Sequence, residues 1–172
     1  MNTIKVYSIN ELSPEVQTKV IDRERYMLVE DTFWSECTID DFITIAKLFG
    51  YSLNKDDIAC SGFSSQGDGA SFTCTVNLAE WKKAHKSIKP LKEYAPTDKV
   101  LHTIFQSVAR ENSGMKWTPK DESVNLYRSS SRYSHEYTVL SELQDDTDNT
   151  PEGIEGVVLK EARDLMQWLY DT

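Results

Sequence analysis

Ser61-Gly62-Phe63-Ser64-Ser65-Gln66-Gly67-Asp68-Gly69-Ala70-Ser71-Phe72-Thr73 carries three of the seven glycines of the chain. Gly67-Asp68-Gly69 stands after an apolar run and before an alternating one, which is the signature of a β-hairpin turn. Downstream, Ala70, Phe72, Cys74 and Val76 alternate with Ser71, Thr73 and Thr75. That spacing predicts a strand with one buried face and one hydroxyl-lined face. Upstream, residues 51–63 read as strand material interrupted by the polar turn Asn54-Lys55-Asp56-Asp57. Glycine also admits close approach of another chain or a ligand. The loop therefore reads either as a structural turn or as a polar recognition loop held by strands. It has the spacing of neither a dinucleotide fingerprint, a P-loop nor a nucleophile elbow.

A second hairpin is predicted from residues 123–129 and 132–141, joined at Ser130-Ser131. On its returning strand Tyr133, His135, Tyr137 and Val139 share one face. Helices fill the intervals. Ser13-Pro14-Glu15 is a helix start, with Ser as cap and Pro in the first turn; Val16, Val20, Ile21, Tyr26 and Met27 give that helix an apolar side. A second helix runs from Thr38 to a stop at Gly50, with Phe42, Ile45 and Phe49 directed inward. Residues 78–95 read as a short helix and a connection, 97–112 as a further helix, and the segment from about Pro151 as the last. In the last, Val158, Ala162, Leu165, Met166 and Leu169 recur at helical spacing. The predicted fold is α+β, one domain over 1–172, with an antiparallel sheet built from two hairpins and helices mainly on one face.

The 172 residues include 28 acidic and 19 basic side chains, for a net charge of −9. A chain so charged repels nucleic-acid phosphates, so general nucleic-acid binding is not expected. An apolar content of 39 % supports a packed core. No leader of basic then apolar residues opens the sequence, and no apolar run reaches the length of a membrane span. The expected location is the cytoplasm. Cys37, Cys60 and Cys74 form no Cys-x-x-Cys pair and read as reduced thiols. Lys82, Lys83, Lys86, Lys89 and Lys92 make the one local basic cluster.

The candidate binding residues come from the two hairpins: Ser64, Ser65, Gln66, Gly67, Asp68 and Ser71 from the first, and Arg132, Tyr133 and His135 from the second. Arg offers a planar fork for carboxylate or phosphate. Gln and glycine backbone N–H groups read an amide or a base, and Tyr stacks on a ring. Plainer roles stand beside these: Asp68 as a turn carboxylate, His135 as a packed histidine, and Arg132 as the partner of Glu136. His85, His102 and His135 lie too far apart in sequence to suggest a metal site, and no cofactor is expected.

The run Ser-Gly-Phe-x-x-Gln-Gly-Asp-Gly-Ala-Ser-Phe resembles a motif of small, mostly uncharacterised proteins of tailed bacteriophages and prophages. The resemblance extends to Leu12-Ser13-Pro14-Glu15-Val16-Gln17, to Arg132-Tyr133-Ser134-His135, and to the terminal helix around Glu161-Ala162-Arg163-Asp164-Leu165. This chain departs from the pattern at Cys60, where an aromatic is usual, at Cys74, where a small residue is usual, and in ending without a longer charged tail. Such proteins are often labelled antitoxin-like. The resemblance implies a phage-encoded accessory protein in the host cytoplasm that binds and neutralises a host factor, a toxin or a defence component, without catalysis. The alternative is a small-molecule binder or enzyme that takes an anionic, nucleotide-like signal between the two hairpins.

Overall fold

The computed structural model describes residues 5–25, 33–62, 67–130, 132–145 and 150–172. Its contacts divide the chain into two compact units, Met1–Glu36 and Cys37–Thr172. In the first, helix α1 (Pro14–Glu24) begins at the expected Ser-Pro, and none of its residues is buried. Of its predicted apolar side, Tyr26 and Met27 lie outside the described residues, and Val16 and Ile21 are exposed.

The rest of the chain is α+β. Helix α2 (Phe33–Leu48) starts earlier than Thr38. Strands β1 (Ile58–Ser61) and β2 (Gly69–Phe72) pair as the expected hairpin, Ile58 opposite Phe72 and Ser61 opposite Gly69. The alternating run then changes partners. Thr73 donates its N–H to the Asp57 carbonyl (3.1 Å), and β3 (Cys74–Asn77) joins a second antiparallel sheet of order β3-β4-β5. There β3 pairs with β4 (Ser123–Arg128), and β4 with β5 (Val139–Gln144). Two sheets thus replace one, with antiparallel pairing throughout.

Between β3 and β4 lie α3 (Leu78–Ala84), α4 (Lys89–Tyr94) and α5 (Lys99–Gly114). Asn77 caps α3 by accepting from the N–H groups of Ala79 and Glu80, and Asp98 caps α5 through Leu101. The chain closes on α6 (Ile154–Asp171). Its stripe of Val158, Ala162, Leu165, Met166 and Leu169 is buried together with Phe42, Ile45, Phe49, Phe72 and Val76. Phe72 sits 5.7 Å from Phe42 and 5.5 Å from Tyr51, ring centre to ring centre. Such aromatic pairs contribute about 0.5–1.5 kcal/mol each beyond their buried area. Among the described residues no helix is long and apolar enough to cross a membrane.

Candidate functional site: the loop that closes over the glycines

The second hairpin differs from its sequence reading, and the difference builds the site. Residues 132–138 are not strand; β5 begins only at Val139. The physical reason lies in Ser129 and Thr138. The N–H and hydroxyl of Ser129 both donate to the Thr138 carbonyl (2.8 and 2.9 Å). Thr138 in turn donates its N–H and its hydroxyl to the His135 carbonyl (3.0 and 2.7 Å). These bonds draw the ends together, and Glu136–Thr138 turns as a 3-10 helix. The intervening residues close as a loop rather than extend as a ladder.

That loop lies on the glycine turn. A Cβ placed on Gly67 would fall 2.1 Å from the Tyr133 ring, and one on Gly69 would fall 2.6 Å from the His135 Cα. Gly67 also has φ +140°, a conformation that favours glycine. Both glycines therefore have a packing reason that the sequence did not show. Ser61 ties the turn by donating its hydroxyl to the Gly67 carbonyl (3.3 Å). On β2, Gly69 and Ser71 share the face toward this loop while Ala70 and Phe72 share the opposite one. Ser71 is fully buried, so its hydroxyl is not on the surface. Its Oγ and the buried Nδ1 of His135 have no hydrogen-bond partner among the described residues.

Outside, the loop presents three rings between two arginines. Arg132 lies over the Tyr133 ring at 5.5 Å instead of reaching Glu136. Tyr133 stacks with His135 at 6.3 Å, and His135 packs against Tyr137 at 6.2 Å. Arg163 of α6 covers Tyr137 at 5.5 Å and donates to the Val139 carbonyl (2.8 Å), which fixes this end of the series to the helix. Tyr133 is 38 % and Tyr137 69 % exposed. Tyr127 and Leu140, directly opposed on β4 and β5, are exposed too. The structure thus joins Gly67 and Gly69 with Tyr133 and His135, sets Arg132 on Tyr133, and adds Tyr137 and Arg163; Asp68 lies between the two glycines in the chain. Ser64, Ser65 and Gln66 lie outside the described residues. The clefts around Tyr51, Trp168 and Trp117 are lined by other residues.

A second polar cluster went unread in the sequence. Glu161 of α6 is wholly buried. Its Oε2 accepts from the Tyr51 hydroxyl (2.9 Å) and the Trp81 indole (2.6 Å), and its Oε1 lies 2.7 Å from His85 Nε2. His85 Nδ1 lies 2.8 Å from the Trp81 carbonyl. A carbonyl oxygen only accepts, so Nδ1 carries a proton, and the other proton lies between Nε2 and Oε1. The pair is neutral as a whole wherever that proton sits. Burial alone would lower the His85 pKa, but the hydrogen bond and charge of Glu161, helped by the Trp81 carbonyl, raise it. The Tyr51 hydroxyl is held well above its ordinary value by burial first, then by Glu161. The missed signal was positional: residue 161 lies on the apolar stripe of α6, three after Val158 and four before Leu165.

The cysteines do not pair with one another. Cys60 stands opposite Ala70 and Cys74 opposite Leu126, in different sheets. All three are free thiols. Burial, then the charge of Asp57, pushes the Cys74 thiol up to about 12, far from a reactive thiolate. Among the described residues no group of His, Cys, Asp and Glu is arranged to hold a metal.

No curated protein and no solved structure matches the chain. Residues 34–172 match the family model described as a domain of unknown function, DUF8835. The chain belongs to that family, and the match covers the whole α+β unit together with the start of α2.

Proposed function

We propose that this protein is a non-catalytic binder that grips a host protein, a toxin or defence component, through the face formed by the Gly67 turn and residues 132–137. The observation that carries this reading is the series Arg132, Tyr133, His135, Tyr137 and Arg163, in which Arg132, Tyr133 and Tyr137 are exposed and His135 and Arg163 are half-buried behind them. Tyr and Arg are the side chains that concentrate binding energy at protein interfaces, because they offer large stiff contact area with a polar end. Here the rings are already packed on one another before any partner arrives, Tyr133 stacked on His135 and Tyr137 tilted against it, so little side-chain freedom remains to be lost on association. The phage setting rests on the resemblance of the Gln66-Gly67-Asp68-Gly69 run and of Arg132-Tyr133-Ser134-His135. A nucleotide-like ligand stacked on the same rings is the competing reading.

The test compares wild-type protein with Tyr133→Ala/Tyr137→Ala. Both rings are exposed, so stability should change by no more than about 1 kcal/mol. Capture of a discrete host protein by the wild type, lost by at least about tenfold in the variant, supports the reading. Equal capture by both proteins, or loss only because the variant unfolds, contradicts it.

A further inference from the structure

We propose that a separate cleft, between the end of α2 and the helix pair α3–α4, binds a nucleoside diphosphate. This inference is independent of the hairpin face. The cleft has a volume of about 680 Å³, within the range that holds drug-sized ligands. Its rim carries Lys47, Lys83 and Lys86 against the single carboxylate of Glu80. In a chain of net charge −9 that balance is locally inverted.

The use made of the other lysines sharpens the point. Lys55 pairs with Asp40, Lys89 with Glu93 and Lys160 with Asp164. Lys82 donates to the carbonyls of Met115 and Trp117 and lies over the Trp117 ring. Lys47, Lys83 and Lys86, like Lys92, Lys99, Lys116 and Lys120, have no ion pair among the described residues; what sets the first three apart is their place on this cleft. They face one concave space, and Lys83 and Lys86 also border the smaller cleft beside Trp117. Burial, then the charge of Lys86, holds Lys82 below the ordinary lysine value.

The remaining lining accounts for the rest of the ligand. Ile43, Leu48, Leu53 and Pro90 give the cleft apolar walls, suited to the flat body of a base. Ser52 and Ser87 add hydroxyl groups, and Glu80 supplies an acceptor for a sugar hydroxyl. Phosphates at the lysines, a hydroxyl-bearing ring at Glu80 and a flat apolar group on the walls together describe a nucleotide rather than a bare anion.

Calorimetric titration with ADP, GDP, UDP and CDP, and separately with pyrophosphate, tests this. At least one nucleotide should bind saturably below about 1 mM, and pyrophosphate at least about tenfold more weakly. Lys83→Ala/Lys86→Ala should weaken the nucleotide by about tenfold or more, whereas Lys92→Ala and Tyr133→Ala/Tyr137→Ala should leave it within about twofold. Absence of binding by all four nucleotides overturns the proposal. So does equal affinity for pyrophosphate, undiminished binding in the double lysine variant, or loss in the tyrosine variant, which would move the ligand to the hairpin face.

Discussion

Glu161 and His135 are both polar side chains packed among aromatic rings, and their surroundings treat them in opposite ways. Around Glu161 the partners are complete: Tyr51, Trp81 and His85 bring three donors to two oxygens, and the side chain is sealed. Around His135 two tyrosine rings pack at 6.3 and 6.2 Å, but Nδ1 has no partner among the described residues and the neighbouring tyrosines are exposed. A buried polar cluster with all its partners specifies how the segment at Tyr51, α3 and α6 dock. Stacked rings left at the surface add little to stability, which is why the hairpin face reads as a binding surface and the Glu161 cluster as architecture.

The sharpest way to break that contrast is to remove Glu161. Glu161→Ala leaves Trp81 Nε1 and His85 Nε2 without their partner in a sealed site and Tyr51 with only the Val158 carbonyl (3.3 Å), and should cost about 3–5 kcal/mol of unfolding free energy. Urea unfolding that loses less than about 1 kcal/mol would demote the cluster to an ordinary surface pair. Next in size is Gly67→Ala. It combines a positive φ with a Cβ set into the Tyr133 ring, and should cost about 1–3 kcal/mol. Part of that cost should vanish in a Tyr133→Ala background, and full additivity of the two changes would show that the ring does not press on the turn.

A smaller effect should follow pH. The folded pKa of His85 lies above its ordinary value of about 6.5. Its stabilising contribution is therefore complete below about pH 6.5 and is lost as pH rises through the folded pKa. Wild-type urea midpoints should fall over that interval, and Glu161→Gln, which removes the carboxylate charge, should flatten the decline. Equal slopes in both proteins would detach the pH response from this pair.

How much of this was legible in the sequence differs by region. The stripe of α6 and the buried Phe42, Phe49 and Phe72 follow from periodicity, because helix and strand burial repeat at fixed intervals. The alternation from Ala70 to Val76 holds in burial only over β3, since every residue of β2 is buried, Ser71 included, and it hid a change of sheet at Thr73. Local alternation reports which face is buried, not which strand is the neighbour. Tyr133, His135 and Tyr137 also alternate, yet there the pattern records stacked rings in a closed loop, drawn shut by Ser129 and Thr138. The glycines were read as a hairpin turn open to close approach by another chain or a ligand, whereas Gly67 and Gly69 make room for Tyr133 and His135 of this same chain. The Glu161 cluster assembles positions 51, 81, 85 and 161, a long-range meeting that local pattern does not reveal.

The central claim is that the face carrying Tyr133 and Tyr137 meets a partner protein. A photo-activatable side chain placed at position 137 tests it most directly, with the same group at position 94, where Tyr94 is exposed elsewhere in the α+β unit. Irradiated in bacterial cells, the account predicts a discrete adduct of higher mass from position 137 and none from position 94. No adduct from 137, or the same adduct from both positions, would contradict it.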